Sequence, residues 1–111
     1  MWRALSDYID ENLDTKLTLS LLASKCFYNP SYFSRTFKEK FGMTLTEYIN
    51  RKRVASASKL LLESDMSVGE IALAVGFGNE NYFSEFFAAK MGISALRYRN
   101  RAIERERRSF L

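Results

Sequence analysis

Residues 29–38 read Asn29-Pro30-Ser31-Tyr32-Phe33-Ser34-Arg35-Thr36-Phe37-Lys38, and residues 79–88 read Asn79-Glu80-Asn81-Tyr82-Phe83-Ser84-Glu85-Phe86-Phe87-Ala88. Asn, Tyr-Phe-Ser and Phe coincide at an offset of 50, and the match continues from Gly42, Thr44 and Tyr48 to Gly92, Ser94 and Tyr98. Upstream, Thr18, Leu19, Leu22 and Ala23 face Ser67, Val68, Ile71 and Ala72 at an offset of 49. The one-residue difference falls where Gly76-Phe77-Gly78 replaces Phe27-Tyr28, between helices, where insertions are tolerated. Each copy has the pattern of a capped short helix, a tight turn and a longer helix, which is a helix-turn-helix. Two copies are too few for a helical solenoid, which needs about three or more.

The surrounding sequence is helical as well. Leu5, Tyr8, Ile9 and Leu13 form the apolar stripe of a helix over 2–13. Thr18 is an N-cap, and Asn29-Pro30 joins a capping residue to a first-turn proline. Phe33, Phe37 and Phe41 then mark one inner face, and Gly42 supplies a left-handed stop. Thr44 with Glu47, and Ser67 with Glu70, have the spacing of capping boxes. The first opens a long helix over 45–63, with Leu45, Tyr48, Ile49, Ala57, Leu60 and Leu61 as its core positions; the second opens a short helix that Gly76 ends. Asn79 caps a helix whose Tyr82, Phe83, Phe86 and Phe87 point inward, and Ser94 opens a last helix running into an arginine-rich tail. No stretch alternates with period two. The fold class is all-α with about seven helices: a first helix-turn-helix subdomain over 1–43, a linker helix over 44–64 and a second subdomain over 65–111. Nineteen linker residues span about 28 Å, near the ~34 Å between major-groove segments on one face of B-DNA.

Composition narrows the function. The chain has 111 residues and no histidine, so the usual general base and commonest metal ligand are missing. No metal-ligand cluster or glycine-rich phosphate loop stands out, no cofactor is expected, and the chain is read as a non-enzyme. The one cysteine, Cys26, sits among apolar neighbours as a structural thiol. No secretory signal or membrane-length apolar run is present, which points to the cytoplasm. The net charge of +4 is segregated: residues 25–59 carry eight basic side chains against Glu39 and Glu47, whereas residues 1–16 are net acidic. Such a distribution suits a polyanion or a set of solvated helix faces.

The stretches Leu22-Ala23, Tyr32-Phe33-Ser34-Arg35-Thr36-Phe37-Lys38, Gly42, Ile71-Ala72, Val75-Gly76-Phe77, Asn81-Tyr82-Phe83-Ser84, Phe87 and Gly92 resemble the AraC/XylS family of bacterial transcriptional regulators. The resemblance implies two helix-turn-helix subdomains approaching adjacent major grooves of double-stranded promoter DNA. It also implies activation of transcription, RNA polymerase as a further partner and a nucleoid-associated location. By that resemblance the chain is either the DNA-binding part of a larger regulator that carries a ligand-sensing or dimerisation domain elsewhere, or a stand-alone single-domain member. By position, Ser31, Ser34 and Arg35 would face base edges in the first unit, and Asn81, Ser84 and Glu85 in the second. Arg35 suits guanine, because a guanidinium bonds the O6/N7 edge in bidentate fashion. Lys25, Tyr32, Lys38, Lys40, Arg51 and Arg53 are the phosphate candidates, which set register without reading sequence. The second unit departs from the family pattern: Glu85 stands where a basic residue is usual, and residues 79–91 are net −1. The first unit is therefore expected to dominate affinity, with the second adding shape fit or a narrow cytosine preference. A protein-interaction module is the competing class, and a steep loss of affinity with salt separates DNA binding from it.

Overall fold

The side chains that sequence marks as helix starts all perform that task in the computed structural model, which describes residues 1–110. Thr18 Oγ1 accepts from Leu21 N–H at 3.1 Å, Asn29 Oδ1 from Tyr32 N–H at 2.8 Å, and Asn79 Oδ1 from Tyr82 N–H at 2.9 Å. Thr44 and Ser94 accept in the same way from Glu47 and Arg97. Ser67 and Glu70 close a reciprocal capping box, with N···O distances of 3.1 and 3.0 Å. The helices that follow are α1 (Trp2–Glu11), α2 (Leu19–Lys25), α3 (Pro30–Phe41), α4 (Leu45–Glu63), α5 (Val68–Ala74), α6 (Glu80–Met91) and α7 (Ala95–Ser109), with no strand among the described residues. Gly42 (φ 73°) and Gly92 (φ 79°) end α3 and α6 in the left-handed region, where a β-carbon is disfavoured. Helix α1 stops at Glu11, short of Leu13, because Asn12 leaves helical backbone geometry and turns its amide back onto Tyr8 O at 2.8 Å.

The chain divides into two compact units, Met1–Arg53 and the segment from Val54 onward, with the boundary inside α4. In the first, Leu5, Ile9, Leu22, Ala23, Phe33, Phe37, Leu45 and Ile49 form the core. Trp2 and Phe41 close its edge, Phe41 stacking on Phe37 with ring centroids 4.4 Å apart. Tyr48 packs edge-on against Phe37 and shares a 2.8 Å hydrogen bond with the Ser6 hydroxyl. In the second unit the core is Val54, Ala57, Leu61, Ile71, Ala72, Val75, Phe77, Phe83, Phe87 and Ala95. Phe33, Phe37, Phe83 and Phe87 are wholly buried, and each contributes about 1.5–3 kcal/mol by leaving water. Ala23 and Ala72 are wholly buried in their unit's core, so a larger side chain would have to displace packed neighbours. Leu60 and Phe86 flank the second core rather than filling it.

Two inward assignments change. Tyr82 is 49% exposed, because the buried Phe77 ring fills the inner slot and meets Phe83 at 5.2 Å. Cys26 is half-buried, and burial pushes its thiol up from the ordinary value.

Candidate nucleic-acid interface

With Phe33 and Phe37 turned into the first core, the geometry of α3 sends Ser31, Ser34, Arg35 and Lys38 outward. These positions lie at i, i+3, i+4 and i+7 and form one exposed stripe. Ser31 and Ser34 are small enough to let the helix backbone approach a groove floor. Arg35, Lys38 and Lys40 are exposed and make no hydrogen bond or ion pair with a described residue. Lys38 and Lys40 also lie in the last turn of α3, where a positive charge is favoured by the helix dipole. Tyr32 is half-exposed beside this stripe, its ring held edge-on against Tyr28 at 4.9 Å.

The remaining basic candidates have partners of their own. The Lys25 ammonium lies 4.5 Å from the Tyr8 ring centroid. Arg51 Nε donates to Glu47 Oε1 at 2.9 Å, an exposed pair that a phosphate can readily exchange with. Arg53 is the most committed: Nε donates to Leu13 O and Nη2 to Thr15 O, both at 2.9 Å. These bonds fasten the chain beyond α1 to α4, and burial pulls the Arg53 guanidinium below its ordinary pKa. The second unit holds a counterpart, in which Arg99 Nε donates to Leu61 O at 2.9 Å and Nη2 to Ser64 O at 3.2 Å. In both units, then, an arginine on the helix after the longer helix-turn-helix element ties down carbonyls at or just past the C-terminal end of the helix that precedes the helix-turn-helix pair, α1 in the first unit and α4 in the second.

Helix α6 repeats the construction with different chemistry. Phe83 and Phe87 face the core, Asn81 and Glu85 are exposed, and Ser84 is half-buried between them. The Lys90 ammonium sits 5.4 Å from the Phe86 ring centroid. Tyr82, omitted from the sequence-derived site, takes the place that Tyr32 holds in α3: both are half-exposed, and each ring leans on an aromatic of the preceding turn. The offset of 50 that pairs Tyr32 with Tyr82 was the signal for it. Among the described residues no cluster of metal-binding side chains occurs, and no helix is long and apolar enough to cross a membrane.

Residues 22–101 match a family model described as a helix-turn-helix domain. The bifunctional transcriptional activator/DNA repair enzyme AdaA of Bacillus subtilis (strain 168) is 44% identical over 75 residues, covering 68% of this chain and 36% of that protein. The regulatory protein PocR of Salmonella typhimurium is 41% identical over 70 residues, covering 63% of this chain and 23% of its own length. The chain thus spans well under half of these relatives. Among solved structures, the C-terminal domain of the two-component response regulator yesN from Fusobacterium nucleatum superimposes with a TM-score of 0.83 at 34% identity, covering 87% of this chain and 95% of that one. The DNA-binding domain of AdpA, a global transcriptional factor solved in complex with a target DNA, superimposes with a TM-score of 0.88 at 26% identity, covering 93% of each chain.

Proposed function

The chain belongs to the AraC family of helix-turn-helix transcriptional regulators, and from that premise we propose that it reads promoter DNA, with α3 supplying most of the affinity. The observation that carries this reading is the exposed stripe of Ser31, Ser34, Arg35 and Lys38 on α3, whose two cations have no partner within the described protein. Arg35 takes a guanine edge, while the serines permit close approach and read weakly. Tyr32, Lys38, Lys40, Lys25 and Arg51 hold phosphates. Arg53 is assigned instead to the internal carbonyl contacts described above. In the second unit Asn81, Ser84 and Glu85 face base edges, on a helix whose net charge lowers its attraction to the backbone.

In the whole protein this segment acts in the cytoplasm as the DNA-reading part of a transcriptional activator. RNA polymerase is a further partner, and a ligand-sensing or dimerisation region belongs to the rest of that protein. No catalytic role is assigned to the chain, and the repair chemistry in the name of AdaA stays with AdaA.

The test is fluorescence anisotropy against a duplex enriched from a randomised pool and against random duplex, each titrated with salt. We expect the enriched duplex to bind about a hundredfold tighter or more, with log affinity falling by about 0.9 per phosphate contact for each log unit of salt. Equal, weak binding to both duplexes at low salt would overturn direct reading by this chain.

A further inference from the structure

The helical phase of α3 and α6 is set by the same anchors. Asn29 and Asn79 cap, Phe33 with Phe37 and Phe83 with Phe87 fill the cores, and Gly42 and Gly92 terminate. Residues 50 apart therefore project in the same direction from their own unit, and the counterpart of Arg35 is Glu85. Both are exposed, and neither makes a hydrogen bond or ion pair with a described residue. Some surface carboxylates are paired, Glu47 with Arg51, Asp10 with Lys52 and Glu104 with Arg108, while Asp7, Glu39 and Asp65, like Glu85, are exposed without a hydrogen bond or ion pair to a described residue. Along α6 the positions three and four residues after Glu85 are Ala88 and Ala89, which offer no cation, and the ammonium of Lys90 lies over Phe86. At the position equivalent to Arg35, α6 thus presents a carboxylate without a partner among the described residues where α3 presents such a guanidinium.

Resting on the reading of α6 as a recognition helix, we propose that Glu85 is the specificity-determining residue of the second unit, selecting cytosine and rejecting guanine and thymine. A carboxylate only accepts hydrogen bonds. In the major groove cytosine offers the N4 amino donor, whereas guanine presents N7 and O6 and thymine presents O4, all acceptors. Adenine offers its N6 donor beside the N7 acceptor and ranks between. The discrimination works mainly by repulsion, because a carboxylate near the phosphate backbone adds little net affinity. The DNA site is consequently asymmetric: the first unit takes guanine at the position where the second takes cytosine.

The experiment measures binding of the full chain to a duplex enriched by the wild type, with all four base pairs placed in turn at each position of the segment the second unit protects. Wild type, Glu85→Gln and Glu85→Arg are compared, with Arg35→Ala as the reference. One position should favour cytosine over guanine by about tenfold or more in the wild type. Glu85→Gln should tighten binding and move the preference at that position towards adenine, and Glu85→Arg should move it to guanine. The exposed position of Glu85 keeps all variants folded, which circular dichroism checks. If both substitutions raise affinity equally for all four base pairs, or leave the cytosine preference intact, Glu85 is not the selector. In that case Arg35→Ala still erases a preference in the other segment, and the proposed function stands. If no position in either segment discriminates and Arg35→Ala changes nothing, the DNA-reading account itself fails.

Discussion

Phe27 occupies the turn between α2 and α3 with φ 59° and its side chain 95% exposed. The corresponding position of the second unit is Gly76, at φ 106°. An L-residue in the left-handed region costs about 1–2 kcal/mol, because its β-carbon crowds the following carbonyl. Replacing Phe27 with glycine removes that cost. It gives back roughly 0.5–1 kcal/mol through the greater freedom of glycine in the unfolded chain. Almost no burial is lost, since the ring already lies in water. The net expectation is a stabilisation of about 0.5–1 kcal/mol. With an unfolding entropy of roughly 2.1 cal/mol/K per residue, the 111-residue chain gains about 2–4 °C in Tm. Phe27→Ala retains the β-carbon and should stay within about 0.5 kcal/mol of wild type. Thermal melts followed by far-UV circular dichroism measure all three proteins. A lower Tm for Phe27→Gly than for Phe27→Ala would refute the reasoning, by showing that the turn carries no strain that glycine relieves.

Arg53→Ala should cost about 1–3 kcal/mol by removing the two bonds to Leu13 O and Thr15 O, and chemical denaturation measures it. The same variant should leave the salt dependence of DNA binding unchanged, whereas Arg51→Ala should reduce that slope by about 0.9 with little effect on stability. The Ser67 backbone N–H and hydroxyl hold the Glu70 carboxyl below its ordinary pKa. A depressed carboxyl adds stability above its unfolded pKa and loses it as pH falls through the folded value. Acidification below the ordinary carboxylate range should therefore lower the Tm of wild type more than that of Glu70→Gln; parallel profiles would contradict the capping-box contribution.

The fold was legible wherever local chemistry decides it. Thr18, Asn29, Ser67, Asn79 and Ser94 cap because a short polar side chain reaches the N–H three residues on, and Gly42 and Gly92 stop helices because they alone enter the left-handed region without penalty. The core phenylalanines followed from helical period and from the duplication. The features that escaped depend on tertiary approach. Whether Tyr82 turns in or out was decided by Phe77, a turn residue whose burial no helical period signals. The carbonyl contacts of Arg53 join residues 38 and 40 positions apart, and a basic side chain on a basic helix looks like a phosphate contact until α1 is seen to end beside it. The outward stripe on α3 was accessible from sequence because the two buried phenylalanines fix which way Arg35 points.

The decisive measurement is the position-resolved binding profile of Arg35→Ala beside that of Lys38→Ala, on the enriched duplex and all its single base-pair variants. If α3 reads bases, Arg35→Ala costs about 1–3 kcal/mol and flattens preference at one guanine position, while Lys38→Ala weakens every duplex alike and lowers the salt slope by about 1. If Arg35→Ala instead weakens all duplexes uniformly, or leaves the profile intact, α3 does not read DNA through Arg35.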